Sequence, residues 1–164
     1  MRITAKRRLQ YAIGHRVVRH ESKCRHLHGH NFVFFLKAEA YGQADASGEP
    51  ILQDDLGRVI DFGVLKHKFG AWIEEYWDHG MVLWGEDYPG LAAMTVFEQH
   101  ESANRGSANP FKQKVFLLPY NPTAENLAKY LLEVVGPHAL KDTGVRLVSV
   151  EVYETENGIA EASL

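Results

Sequence analysis

His28-Gly29-His30-Asn31-Phe32-Val33-Phe34-Phe35-Leu36-Lys37-Ala38-Glu39-Ala40 is the stretch whose reading decides the fold. Its even positions are His28, His30, Phe32, Phe34, Leu36, Ala38 and Ala40, whereas the odd positions are more mixed, with Asn31, Lys37 and Glu39. A period of two is that of a strand with one buried face. The two histidines open that face and project the same way.

The preceding segment repeats the pattern. Over residues 2–15, Ile3, Ala5, Leu9, Tyr11 and Ile13 share one face, with Arg7 as the exception. Arg2, Thr4, Lys6, Arg8 and Gln10 share the other, and His15 ends the strand on the apolar face. His20 to Leu27 reads as a loop rich in charge and histidine. Pairing the two strands as a hairpin would bring His15, His28 and His30 together at one end of the core. Three neutral imidazoles with an open position are the usual form of a catalytic zinc site. The Irving–Williams order alone does not choose zinc, but an all-imidazole tetrahedral set suits it. The alternative is three unrelated histidines with satisfied hydrogen bonds. His26 shares parity with His28 but falls in the loop, where it is at most a supporting or phosphate-side residue. His20, His67, His100 and His138 read as solvated surface.

Working outward, residues 42–57 carry Gly42, Gly48, Pro50 and Gly57 and read as a surface loop. Asp61 can cap a helix to about Trp77, with Phe62, Leu65, Phe69, Trp72, Ile73 and Tyr76 at helical spacing. Residues 84–121 form an extended insertion with a loop from Gly106 to Pro110 and a short strand at Lys114–Leu118. Asn121-Pro122 opens a second helix. Leu127, Leu131, Val134 and Val135 give it an apolar face, and Gly136-Pro137 ends it. Val145–Thr155 is a strand with Val148, Val150, Val152 and then Glu154 on one face; Gly158 turns the chain into a last strand, Ile159–Leu164. Two strands, two helices and two strands predict a single α+β domain over residues 1–164. Its sheet is expected to be four-stranded and antiparallel, with both helices on one face.

Composition supports one compact domain. The chain has 164 residues, 45% of them hydrophobic, and a formal net charge of −3. That balance gives no global attraction to nucleic acid or to an anionic membrane. No apolar run is long enough to span a bilayer, and Met1 to Arg8 lacks the apolar stretch of a secretory signal. Cys24 is the single cysteine, so no intramolecular disulfide can form, and a reducing cytoplasm is the expected location.

Three further positions carry acid–base chemistry. Cys24 lies four residues before His28, flanked by Lys23 and Arg25, and positive charge favours a thiolate. The plainer reading is a buried structural cysteine. In Asp78-His79 a carboxylate can orient an imidazole, although a histidine at a helix end also suits the macrodipole. Glu154 extends a buried strand face, where a carboxylate needs a partner; a ligand with paired N–H donors would supply one. The alternative is a solvated strand end, with Glu156 close behind.

Together these segments resemble the 6-pyruvoyl- and 6-carboxy-tetrahydropterin synthase family. The resemblance runs through Gly14-His15, Cys24-Arg25-His26-Leu27-His28-Gly29-His30, Val59-Ile60-Asp61-Phe62-Gly63, Asp78-His79, Pro122-Thr123-Ala124-Glu125-Asn126 and Glu154-Thr155. It implies the tunnelling fold, in which subunits join their sheets into barrels. It also implies a homo-oligomer, usually a hexamer built as a dimer of trimers. His15, His28 and His30 would hold Zn2+. Cys24 would accept a proton, with His79 and Glu154 as relay partners and Asp78 orienting His79. Glu154 would anchor the pterin's N–H edge, with Thr123 and Thr155 nearby. The implied activity is that of a zinc-dependent lyase in queuosine synthesis. It converts 7,8-dihydroneopterin triphosphate to 6-carboxy-5,6,7,8-tetrahydropterin, releasing triphosphate and acetaldehyde. The alternative is the pyruvoyl synthase, which eliminates triphosphate without cleaving the side chain; a non-catalytic zinc-stabilised pterin-binding module stands behind both. A third branch, acting in folate synthesis, usually carries a glutamate near the cysteine position, where this chain reads Lys23-Cys24-Arg25-His26. Local charge adds Lys23, Arg25, Arg16 or Arg19 as partners for the triphosphate.

Overall fold

The structure, a computed structural model, describes residues 1–105 and 113–164. The loop expected from Gly106 to Pro110 lies outside the described residues. Strands β1 (Ala5–His15) and β2 (His28–Ala40) pair antiparallel in unbroken register, from Ala5 opposite Ala38 to His15 opposite His28. Phe32, Phe34, Leu36 and Ala38 are fully buried, as the alternation requires. Each large apolar side chain so buried contributes about 1.5–3 kcal/mol. Arg7, the exception on the apolar face, is half-buried, and its Nε has no hydrogen-bond partner.

Helix α1 (Phe62–Tyr76) begins where Asp61 accepts the Gly63 N–H at 2.7 Å. Leu65, Phe69, Ile73 and the C-terminal Trp77 have no solvent exposure. Phe62 and Tyr76, expected on the apolar stripe, are exposed; they are the first and last residues of the helix, and Tyr76 keeps one edge against Phe116.

The sheet corrects the four-stranded expectation. Among the described residues it has six strands, in the order β4-β3-β1-β2-β5-β6. The additions are β3 (Gly80–Trp84) and β4 (Val115–Leu118), and they pair parallel: β3 with β1, and β4 with β3. Strand β3 has buried residues in succession, Val82 and Leu83, because both its faces are covered. Such a strand shows no alternation to read. Between β3 and β4 runs helix α2 (Tyr88–Arg105), which was not anticipated. The remaining strands, β5 (Val145–Tyr153) and β6 (Ile159–Ser163), extend the sheet antiparallel beyond β2.

Helix α3 (Ala124–Tyr130) starts two residues later than Pro122, with Thr123 Oγ1 accepting the Asn126 N–H at 3.3 Å. Gly136-Pro137 does not end it. The chain widens into a π-type turn over Leu131–Val135 and continues as α4 (Gly136–Ala139). A wider turn accommodates a residue that lacks an N–H, and it also rotates the apolar face. Val134, expected in the core, is therefore exposed, while Leu131, Leu132 and Val135 are buried.

Candidate metal and active site

In an antiparallel pair, residues directly opposite point to the same face. The register sets His15 opposite His28 and Ile13 opposite His30. The three rings meet at the end of the hairpin, with centroids 4.5 Å (His15–His28), 4.9 Å (His28–His30) and 5.4 Å (His15–His30) apart. Phe32 packs edge-on against His15 and His30 beneath them. Strand β5 sets Val152 opposite Phe34, so Glu154 continues that face toward the rings. Glu154 Oε1 stands 3.1 Å from His15 Nε2 and 3.5 Å from His30 Nε2. One ligand atom from each of these four residues lies within 4.8 Å of the others.

The hydrogen bonds behind the rings decide what the cluster can hold. His15 Nδ1 lies 2.8 Å from the Pro122 carbonyl, and His28 Nδ1 lies 2.7 Å from the His26 carbonyl. A carbonyl only accepts, so both Nδ1 atoms carry a proton, and each ring in its neutral form presents its Nε2 lone pair. His15 Nε2 is buried without a hydrogen-bond partner although a carboxylate oxygen is nearby. Two electron-rich atoms at that distance require a proton or a cation between them. Imidazoles whose second nitrogen is held by a carbonyl, beside a carboxylate, form a donor set that zinc accepts. Burial lowers the His30 pKa, outweighing the opposing pull of Glu154, and so favours the neutral ring that a metal needs. Glu154 is held below the usual carboxylate range, chiefly by its contact with His15 and against the effect of burial.

The carbonyl behind His15 is itself fixed. Asn121 accepts the Val18 N–H at 2.7 Å and donates to the Val18 carbonyl at 3.1 Å. Asn126 Nδ2 donates to the Asn121 carbonyl at 2.8 Å. The Pro-Thr-x-Glu-Asn segment thus works by positioning backbone. That role for Pro122, and that of the His26 carbonyl, escaped the sequence reading because a main-chain acceptor leaves no residue signature.

On the acid–base side, Asp78 Oδ2 holds His79 Nδ1 at 2.9 Å, while Oδ1 accepts the Ala12 N–H at 3.1 Å. His79 adopts a left-handed φ of 53°, uncommon for a side chain other than glycine, and its N–H donates to the Ala12 carbonyl at 2.7 Å. Lys114 Nζ donates to the carbonyls of Glu74 and Asp78 at 2.7 and 2.8 Å, closing the end of α1. His79, His28 and His30 line one cavity of about 730 Å³ together with Met94 and Phe97 of α2. His30 also borders a second cavity, of about 570 Å³, with Glu154, Thr155, Tyr153 and Arg8.

The other sequence candidates lie as follows. Cys24 sits half-buried in a one-turn 3-10 segment, Lys23–Arg25, and its thiol is not among the four converging ligand atoms and lines neither cavity. Lys23 and Arg25 are exposed on that turn. Thr123 is occupied as the cap of α3 and lines neither cavity, and Thr155 Oγ1 accepts the Gly158 N–H at 3.0 Å in the β5–β6 turn. Arg16 is not free for a phosphate: it forms a two-point pair with Asp87, a fully buried residue. Asp87 was missed, although Asp followed by Pro89 is a helix-start signal.

Comparison with known proteins agrees with this construction. The family model of 6-pyruvoyl tetrahydropterin synthase matches residues 4–163. A Rickettsia conorii protein named 6-carboxy-5,6,7,8-tetrahydropterin synthase is 31% identical, covering 97% of this chain and 99% of its own. A relative of the same name from Aquifex aeolicus is 28% identical, over 85% of this chain and 75% of its own. Among solved structures, an uncharacterized protein from Wolinella succinogenes superposes with a TM-score of 0.74 at 22% identity, covering 99% and 98% of the two chains. The Plasmodium falciparum 6-pyruvoyl tetrahydropterin synthase gives 0.53 at 18%, covering 98% and 99%. The fold and the residues at its histidine-bearing end define a pterin synthase-type chain. It belongs to the 6-pyruvoyl tetrahydropterin synthase family.

Proposed function

We propose that this protein is a zinc-dependent lyase that converts 7,8-dihydroneopterin triphosphate and water to 6-carboxy-5,6,7,8-tetrahydropterin, releasing triphosphate and acetaldehyde. The observation that carries the reading is the convergence of His15, His28 and His30, with the Nδ1 atoms of His15 and His28 held by backbone carbonyls. The names of the full-length relatives support the carboxy product over the pyruvoyl one.

His15, His28 and His30 would hold the ion. A zinc ion there would supply Lewis acidity toward the substrate's side-chain hydroxyls and the neighbouring C–H. Glu154 borders the second cavity and offers two acceptor oxygens to a ring edge with paired N–H donors, with Thr155 beside it. Cys24, as thiolate, takes the proton from the activated carbon, and the triphosphate departs. His79, oriented by Asp78, shuttles protons in the steps that follow. Lys23 and Arg25 face solvent on the Cys24 turn, where they can meet the triphosphate.

The sheet ends in two open strands among the described residues, β4 and β6. Pairing them with other copies would satisfy their free backbone groups, which fits a homo-oligomer assembled as a hexamer of two trimers. None of the described helices is long and apolar enough to cross a membrane, and we place the enzyme in the cytoplasm, in the route to queuosine.

The test is incubation of zinc-loaded protein with 7,8-dihydroneopterin triphosphate under reducing conditions, with product analysis. Acetaldehyde and 6-carboxy-tetrahydropterin are expected. A pyruvoyl product moves the chain to the other branch, and no turnover by metal-replete protein refutes the catalytic reading.

A further inference from the structure

We propose that Arg16 and Asp87 are a positioning pair that sets the Cys24 turn and helix α2 against the histidine cluster. The catalytic consequence rests on the pterin synthase reading; the geometry does not. Arg16 follows His15 directly. Its Nε and Nη2 donate to the two carboxylate oxygens of Asp87 at 2.7 and 2.8 Å. Its Nη1 donates to the Arg25 carbonyl at 3.4 Å, and the next residue, Val17, gives its N–H to the Cys24 carbonyl at 2.7 Å. Two successive carbonyls of the turn are therefore tied to the two residues after His15.

Asp87 reaches the other way. Its Oδ1 accepts the Gly90 N–H at 3.1 Å, and its carbonyl accepts the Leu91 N–H at 2.9 Å, so it starts α2. The helix passes so close that a Cβ at position 90 would lie 2.3 Å from Asp87 Oδ2. From this anchor α2 carries Met94 and Phe97 to the cavity wall they share with His28, His30 and His79. One buried carboxylate thus links the metal strand, the thiol turn and the apolar wall.

The chemistry of the pair favours a positional role. A buried ion pair gains little net stability over apolar residues of the same size, because both charges lose water. What it supplies is a fixed geometry, since the guanidinium fork matches a carboxylate at two points. A lysine at position 16 keeps the charge but loses the fork and the reach to the Arg25 carbonyl.

The experiment compares Arg16→Lys and the neutral double variant R16Q/D87N with the native protein. Three properties are read: thermal unfolding, bound zinc per chain, and the rate of iodoacetamide alkylation. Cys24 is the single thiol, so alkylation reports on it alone. Both variants are expected to fold and bind zinc as the native protein does, with alkylation about fivefold faster as the turn opens more often. With dihydroneopterin triphosphate, Arg16→Lys is expected to lower kcat about tenfold and to change KM less than about twofold. Native alkylation in either folded variant overturns the proposal. So does zinc loss in parallel with faster alkylation, which would place the damage in the cluster itself. If Arg16→Lys does not fold, the double variant decides alone. If the native protein has no pterin activity, alkylation and zinc content still decide.

Discussion

His15 is wholly buried on a strand bonded along its length to β2, whereas the His79 side chain is 80% exposed at the end of a helix. In the first region Phe32 packs beneath His15 and His30, and backbone carbonyls hold His15 and His28 from behind. The imidazole of the second is fixed by one carboxylate and a left-handed backbone turn. The contrast teaches that one fold can hold a cluster of imidazoles rigidly while leaving another imidazole reachable, which under the proposed function separates the metal ligands from the proton carrier. Substitutions should then separate metal loading from turnover.

The largest effect is expected at His28, which lines the open cavity and can be truncated without emptying the core. His28→Ala should abolish stoichiometric zinc by elemental analysis and reduce turnover roughly a thousandfold or more, with little change in melting temperature. Full zinc occupancy in that variant would break the comparison at its root. Next is Cys24→Ala, expected to keep its zinc while kcat falls about 10²–10⁴-fold. Normal turnover there would take Cys24 out of the chemistry and leave the proton transfer to another group. Asp78→Asn should lower kcat about a hundredfold with zinc unchanged, because the His79 ring loses its charged partner. A matching loss of zinc would show that the two regions are coupled. The smallest effect is Thr123→Ala, which removes the cap of α3 and should cost about 1 kcal/mol in denaturant unfolding. Any fall in zinc affinity should stay within about tenfold, through displacement of the Pro122 carbonyl. Thr123→Ser should recover both.

The histidine cluster was legible because alternation assigns a face, and a hairpin leaves few ways to pair two adjacent strands. Asp61 and the α1 core were legible by capping and by helical period. Strand β3 was not, since it is covered on both faces; β4 was read as a short strand at Lys114–Leu118, but its parallel place beside β3 was not. Helix α2 hid for another reason. Its Val96 and Phe97 are exposed, which blurs the apolar stripe, and its anchor is an ion pair to a residue far back in the chain. Gly136-Pro137 misled because a π-type turn can carry a helix through a proline. In the site, the converging histidines and Glu154 were legible, whereas Asp87 and the main-chain acceptors were not.

The unbroken β1–β2 ladder has one more consequence. His15, His28 and His30 occupy the same face as Ile13, Phe32, Phe34 and Leu36. Sliding one strand past the other by a single position would turn greasy rings into water in the same movement that scattered the imidazoles. Misassembled histidine sets are thereby discarded as misfolded chains, so the nonpolar interior proofreads the cluster as the chain folds.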